Sequence, residues 1–117
     1  MKTKNARMVL EEEIQSLMEM AVLKPQRTGL PFEIFVSERA YATAQHHRPR
    51  LKASDRQGRI DASVAIDDPI EILAGTPISG KSWQSLEGYI RLNQRLLLSL
   101  WNEEIDQVTY VTQQQRV

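Results

Sequence analysis

The chain has 117 residues, 41% apolar and 26% charged, with fifteen basic residues set against fifteen acidic ones. That size and balance suit one globular domain around one core. They exclude both a disordered chain and the global charge field that steers proteins onto nucleic acid or anionic membranes. The absence of cysteine removes disulfides, thiolate nucleophiles and cysteine-ligated zinc, and fits a reducing compartment. No apolar run approaches the roughly 18 residues of a membrane span. Met1, Lys2, Thr3 and Lys4 lead into Glu11, Glu12 and Glu13, where an export signal needs its apolar centre, so a cytoplasmic location is expected.

Between residues 5 and 23, apolar side chains fall at Met8, Leu10, Ile14, Leu17, Met18, Ala21 and Val22. That spacing is close to the 3.6-residue period of an amphipathic helix, which Pro25 and Gly29 then stop. Glu11 to Glu13 sit in its first half, where carboxylates interact well with the helix dipole, and read as a solvated face rather than a metal site. Phe32, Glu33, Ile34, Phe35 and Val36 read as a strand. Residues 48–54 alternate weakly, and Asp55, Arg56, Gln57 and Gly58 form a hairpin loop leading into residues 59–66. In that second arm Ile60, Ala62, Val64 and Ile66 share one side of the pleat, and Asp61, Ser63 and Ala65 the other.

Asp67, Asp68 and Pro69 make a turn before a fourth strand over residues 70–73, closed by Ala74 and Gly75. Ser82 is the expected N-cap of a long core helix running to Glu104. Its stripe is Leu86, Tyr89, Ile90, Leu96, Leu97, Leu100 and Trp101, interrupted by Asn93. Val108 to Thr112 have strand propensity, and Gln113 to Gln115 are expected to fray. The fold class expected is therefore α+β: an N-terminal helix, a three- to four-stranded antiparallel meander, a long C-terminal helix and a short tail strand, in one domain over residues 1–117.

Three constellations have chemical content. Gly75, Gly80, Lys81 and Ser82 read G-x-x-x-x-G-K-S, the spacing of a phosphate-binding loop, between an expected strand and helix. Such a site needs a parallel sheet and a second acidic strand, and Pro77 removes one N–H from the cradle, so a plain strand-to-helix loop is the preferred reading. His46 and His47 are the only histidines; as neighbours on a strand they point to opposite faces, which disfavours a shared metal. They remain the weak candidates for acid/base work. Asp67 and Asp68 read as turn formers before proline. Arg48, Arg50 and Lys52, with Arg56 and Arg59 on the facing arm, form the densest basic patch and the candidate anion-binding site. Few aromatics interleave it for base stacking; Tyr41 is the nearest.

Two segments resemble a small prokaryotic domain family of unknown function. Its strand signature runs His-x-Pro-Pro-His-Phe-His-Val, and its closing helix ends Asn-x-x-x-Leu-Leu-x-x-Trp. The helix pattern is met here by Asn93, Leu97, Leu98 and Trp101. In the strand, His46 and Pro49 keep their places, while Arg50 and Lys52 stand where the family has histidines. The resemblance covers residues 31–104 and omits the N-terminal stretch. It implies a small bacterial protein that depends on a partner and is encoded in toxin–antitoxin-like gene pairs. Arginine cannot serve as a base or as an ordinary metal ligand at neutral pH, so the replacement of the histidines by cations points to an anion site or a bare scaffold.

Leu10, Ile14, Leu17, Met18 and Ala21 offer an apolar stripe for a sheet or a second protomer, and methionines at 8, 18 and 20 suit an adaptable contact. The expectation is a non-enzymatic interaction or regulatory domain that binds a protein partner or itself. It has no cofactor, metal or membrane association. The alternative is a binder of phosphate substrates, RNA or nucleotide, or a nuclease-like toxin, acting through the basic strand.

Overall fold

The computed structural model describes residues 20–38, 48–55 and 59–117. Its order is β1 (Ala21–Leu23), a single helical turn α1 (Pro25–Thr28), β2 (Glu33–Val36), β3 (Arg50–Ser54), β4 (Asp61–Ala65), β5 (Ile72–Gly75), α2 (Gly80–Leu92), α3 (Gln94–Trp101) and α4 (Gln107–Gln113). The strands form one five-stranded antiparallel sheet in the order β1-β2-β3-β4-β5. Each strand pairs with its sequence neighbour, the commonest arrangement of consecutive strands.

The register explains which face is buried. Leu23, Ile34, Ala53 and Ala62 lie opposite one another across four strands, and Leu51 faces Val64. Directly opposed residues share a face, so these side chains make one apolar surface. Onto it close Leu86, Tyr89 and Ile90 of α2, Leu97, Leu100 and Trp101 of α3, and Tyr110 of α4, in one continuous core. The opposite face carries the row Val22, Phe35, Lys52, Ser63 and Ala74.

The meander agrees with the alternation in sequence, but several expected elements differ. The N-terminal helix falls up to residue 19 on residues outside those described, and its expected last turn, Ala21–Leu23, is a strand. Pairing with β2 buries Leu23 to 1% exposure, which outweighs the helical periodicity. Pro25 then opens α1, where its missing N–H costs nothing, and Gly29 closes it at φ 84. A Cβ at Gly29 would stand 2.2 Å from the Val117 carbonyl oxygen, so this corner admits glycine alone. The strand expected over residues 70–73 lies two residues later, at Ile72–Gly75.

The long helix starts earlier than Ser82, with Ser79 as its N-cap, and Asn93 divides it into α2 and α3. The expected tail strand at Val108 to Thr112 is the helix α4. Asp106 caps it by accepting from the Thr109 N–H at 2.8 Å, and fully buried Tyr110 anchors it. Strand propensity is a weak prior beside a cap and a buried aromatic. Two of the three glutamines expected to fray are engaged by specific bonds. Gln114 accepts from the Tyr89 hydroxyl at 2.6 Å and donates to the Arg27 carbonyl, and Gln115 exchanges backbone bonds with the Asn93 side chain.

Candidate docking edge

The basic strand is positioned by β3 and partly neutralised within the fold. Arg48 donates to Asp67, to Glu71 and to the carbonyls of Asp67 and Pro69. Its hydrogen bond to Asp67 is the leading cause holding its pKa above the ordinary arginine value, against burial. This clamp fixes the turn at Asp67, Asp68 and Pro69, where the Asp68–Pro69 peptide is cis. Lys52 reaches Asp61 at 3.3 Å, and Arg59 reaches Asp55 at 3.3 Å. Asp55 also accepts from the Arg59 and Ile60 N–H groups, which closes the β3–β4 hairpin. Arg50 donates to the Arg48 carbonyl, and its pKa is lowered by desolvation and then by the Arg48 charge. Of the predicted anion site, three cations therefore hold carboxylates, Arg50 holds none among the described residues, and Arg56 lies outside them.

His46 and His47 lie outside the described residues, as do Leu10, Ile14, Leu17 and Met18 of the expected interface stripe. Gly75 ends β5, an antiparallel edge strand, where a Cβ would collide with the Asp61 carbonyl oxygen at 2.2 Å; the glycine serves that close approach. Gly80 takes φ 62 at the start of α2, and Lys81 is exposed beside half-buried Ser82. Among the described residues no group of three potential ligands is placed to hold a metal. None of their buried side-chain polar atoms lacks a hydrogen-bond partner.

Ala21 does have a place in a surface feature. It lines a groove of about 260 Å³ together with Gln107, Val108, Val111 and Thr112 of α4. The groove runs along β1, an edge strand with no strand partner on its outer side among the described residues. Val108 is 73% exposed and Val22 45%, both beside this edge. Val108 is turned outward because α4 commits Tyr110 to the core. The strand propensity of residues 108–112 hides the groove in the sequence; the available signal is Asp106, an N-cap residue before an i, i+3 apolar pair of Val108 and Val111.

Neither family models, nor curated proteins, nor solved structures yield a match to this chain.

Proposed function

We propose that this chain is a small non-enzymatic interaction domain whose docking surface is the edge formed by β1 and α4. The observation that carries it is the exposed apolar groove of Ala21, Val108 and Val111 beside an edge strand, since unpaired strand edges and apolar patches are what partner chains cover. In the setting implied by the sequence resemblance, the partner would be a protein encoded beside it. The basic strand supports the phosphate-binding alternative less well. Arg48, Lys52 and Arg59 already hold carboxylates, which an incoming phosphate would have to displace.

The test is light scattering after size-exclusion chromatography on the full chain isolated from its host, beside Val108→Asp. A complex, with itself or with a stoichiometric protein, is expected for the wild-type chain. Val108→Asp is expected to be monomeric with an unchanged circular dichroism spectrum, because the side chain supports no core contact. Monomers in both samples overturn the reading.

A further inference from the structure

The chemistry of the partner can be narrowed from the corner where β1 ends. Lys24 follows β1 directly, Arg27 lies in α1, and the Arg116 side chain is carried against Gly29 by the C-terminal tail. The tail is fixed there by the Val117 N–H on the Thr28 carbonyl and the Gln114 side chain on the Arg27 carbonyl. All three cations are exposed, and none forms an ion pair among the described residues. Arg48, Lys52, Arg59 and Arg91, by contrast, each hold a carboxylate. Among the described residues the corner therefore groups three cations without carboxylate partners, Lys24 lining a hollow with Glu33 and Asp55 on its sheet side, although the chain as a whole carries no net charge.

The groove beside it is apolar and the size of one or two side chains rather than of a metabolite, whose pockets begin at roughly 300 Å³. Among the described residues the outer side of β1 has no strand partner, which leaves its outward peptide N–H and C=O groups to pair with one. Ala21 lies about 10 Å from Lys24 at roughly 3.3 Å per residue. A ligand spanning both must then be extended, apolar at one point and acidic about three positions away.

We infer that the β1 edge takes an extended acidic–apolar segment of a partner protein as a sixth strand. An apolar side chain fills the groove against Ala21, Val108 and Val111, and a carboxylate lies beside Lys24, Arg27 and Arg116. Backbone pairing supplies the register, the groove selects the apolar position, and the cations select the sign of the flanking charge. This rests on the partner-binding reading above and specifies what that surface recognises.

A labelled peptide of about eight residues, alternating valine and glutamate, is titrated into the full chain by fluorescence anisotropy. Three probes run beside it: a valine–lysine peptide, the valine–glutamate peptide N-methylated at alternate amides, and a single-stranded RNA of similar length. Saturable binding of the first peptide alone is expected. Lys24→Glu and Val108→Asp, both on exposed side chains, are each expected to weaken it about tenfold at an unchanged thermal midpoint. Equal binding of the methylated peptide overturns strand addition, equal binding of the RNA reduces the corner to a general anion site, and no binding of the acidic peptide overturns the proposal outright. Self-association that Val108→Asp abolishes would give the edge to a second copy and overturn it too. Should the peptide fail while a Val108-dependent complex with another protein persists, this inference falls and the partner-binding reading stands.

Discussion

The β3–β4 hairpin and the segment from Asp106 to Val117 are both integral to the core, yet they reach it by different means. In the hairpin, alternation does the work: Leu51, Ala53, Ala62 and Val64 are buried, Lys52 and Asp61 are exposed, and the loop is closed by Asp55. The C-terminal segment has one fully buried side chain, Tyr110, with Val111 packed against the same core, and its other ties are polar groups that are distant in sequence. The Tyr110 and Tyr89 hydroxyls lie 2.7 Å apart, Tyr89 donates onward to Gln114, and Asn93 brackets Gln115. A period-two pattern can be read from a single stretch, whereas a latch assembled from residues 21 to 25 positions apart leaves no local trace.

The largest effect is expected from Tyr110→Ala. Removing a fully buried aromatic costs about 3–5 kcal/mol, read as a lower denaturant midpoint. If the tail were an appendage, hydrogen exchange would show protection lost in α4 and kept in β3 and β4. Because Tyr110 belongs to the same core as Ile34 and Val64, protection is expected to fall in both regions together. Retained hairpin protection would show that the two regions open independently.

The latch also gives the comparison a pH signature. Burial pushes the Tyr89 hydroxyl up to about 12, partly offset by its bond with Tyr110, and burial raises Tyr110 as well, with Tyr89 adding to the shift. Both groups hold their protons in the folded state after an unfolded chain, with tyrosine near 10, has begun to release them. Their contribution is fully present below about pH 10 and is lost as pH rises toward and past 12. Urea midpoints are expected to be insensitive to these groups up to about pH 9 and to fall steeply above it. The slope should be shallower in Tyr89→Phe, whereas an equal slope in that variant would place the alkaline loss elsewhere.

How much could be read in advance follows the same division. The meander, the Asp55 hairpin and the buried stripe of Leu86, Tyr89, Ile90, Leu97, Leu100 and Trp101 are visible as periodicity. The break at Asn93 is not, since what ends α2 is a side chain engaged by Gln115 across the fold. Ala21–Leu23 fits a helical period as well as a strand, and only its pairing with β2 decides. At the proposed edge, Ala21 is readable in the sequence as apolar, but on a helical stripe rather than on a strand. The grouping of Lys24, Arg27 and Arg116 is not readable, because the third cation arrives from the far end of the chain. The dense basic run at Arg48 to Lys52 drew attention by sequence proximity, yet two of its three cations serve carboxylates within the fold.

The smallest effect separates local from tertiary control at the join between α3 and α4. Glu103 has φ 63, the left-handed region that disfavours side chains bearing a Cβ. It occupies the position after the C-cap Asn102, where the Glu103 N–H donates to the Leu100 carbonyl and the Glu104 N–H to the Ser99 carbonyl. This is the helix-ending arrangement in which glycine is the favoured residue. The left-handed penalty that glycine escapes exceeds the extra chain entropy that glycine loses on folding, so Glu103→Gly is expected to stabilise by about 0.5–1 kcal/mol. The gain should appear as a raised thermal midpoint with an unchanged denaturant slope. Glu103→Ala keeps the Cβ and the strain and is expected to give no such gain, which assigns the effect to backbone conformation rather than to loss of the carboxylate. If both variants stabilised equally, the charge beside Glu104 and Asp106 would be the cause, and the turn into α4 would be governed by electrostatics instead of by its left-handed residue.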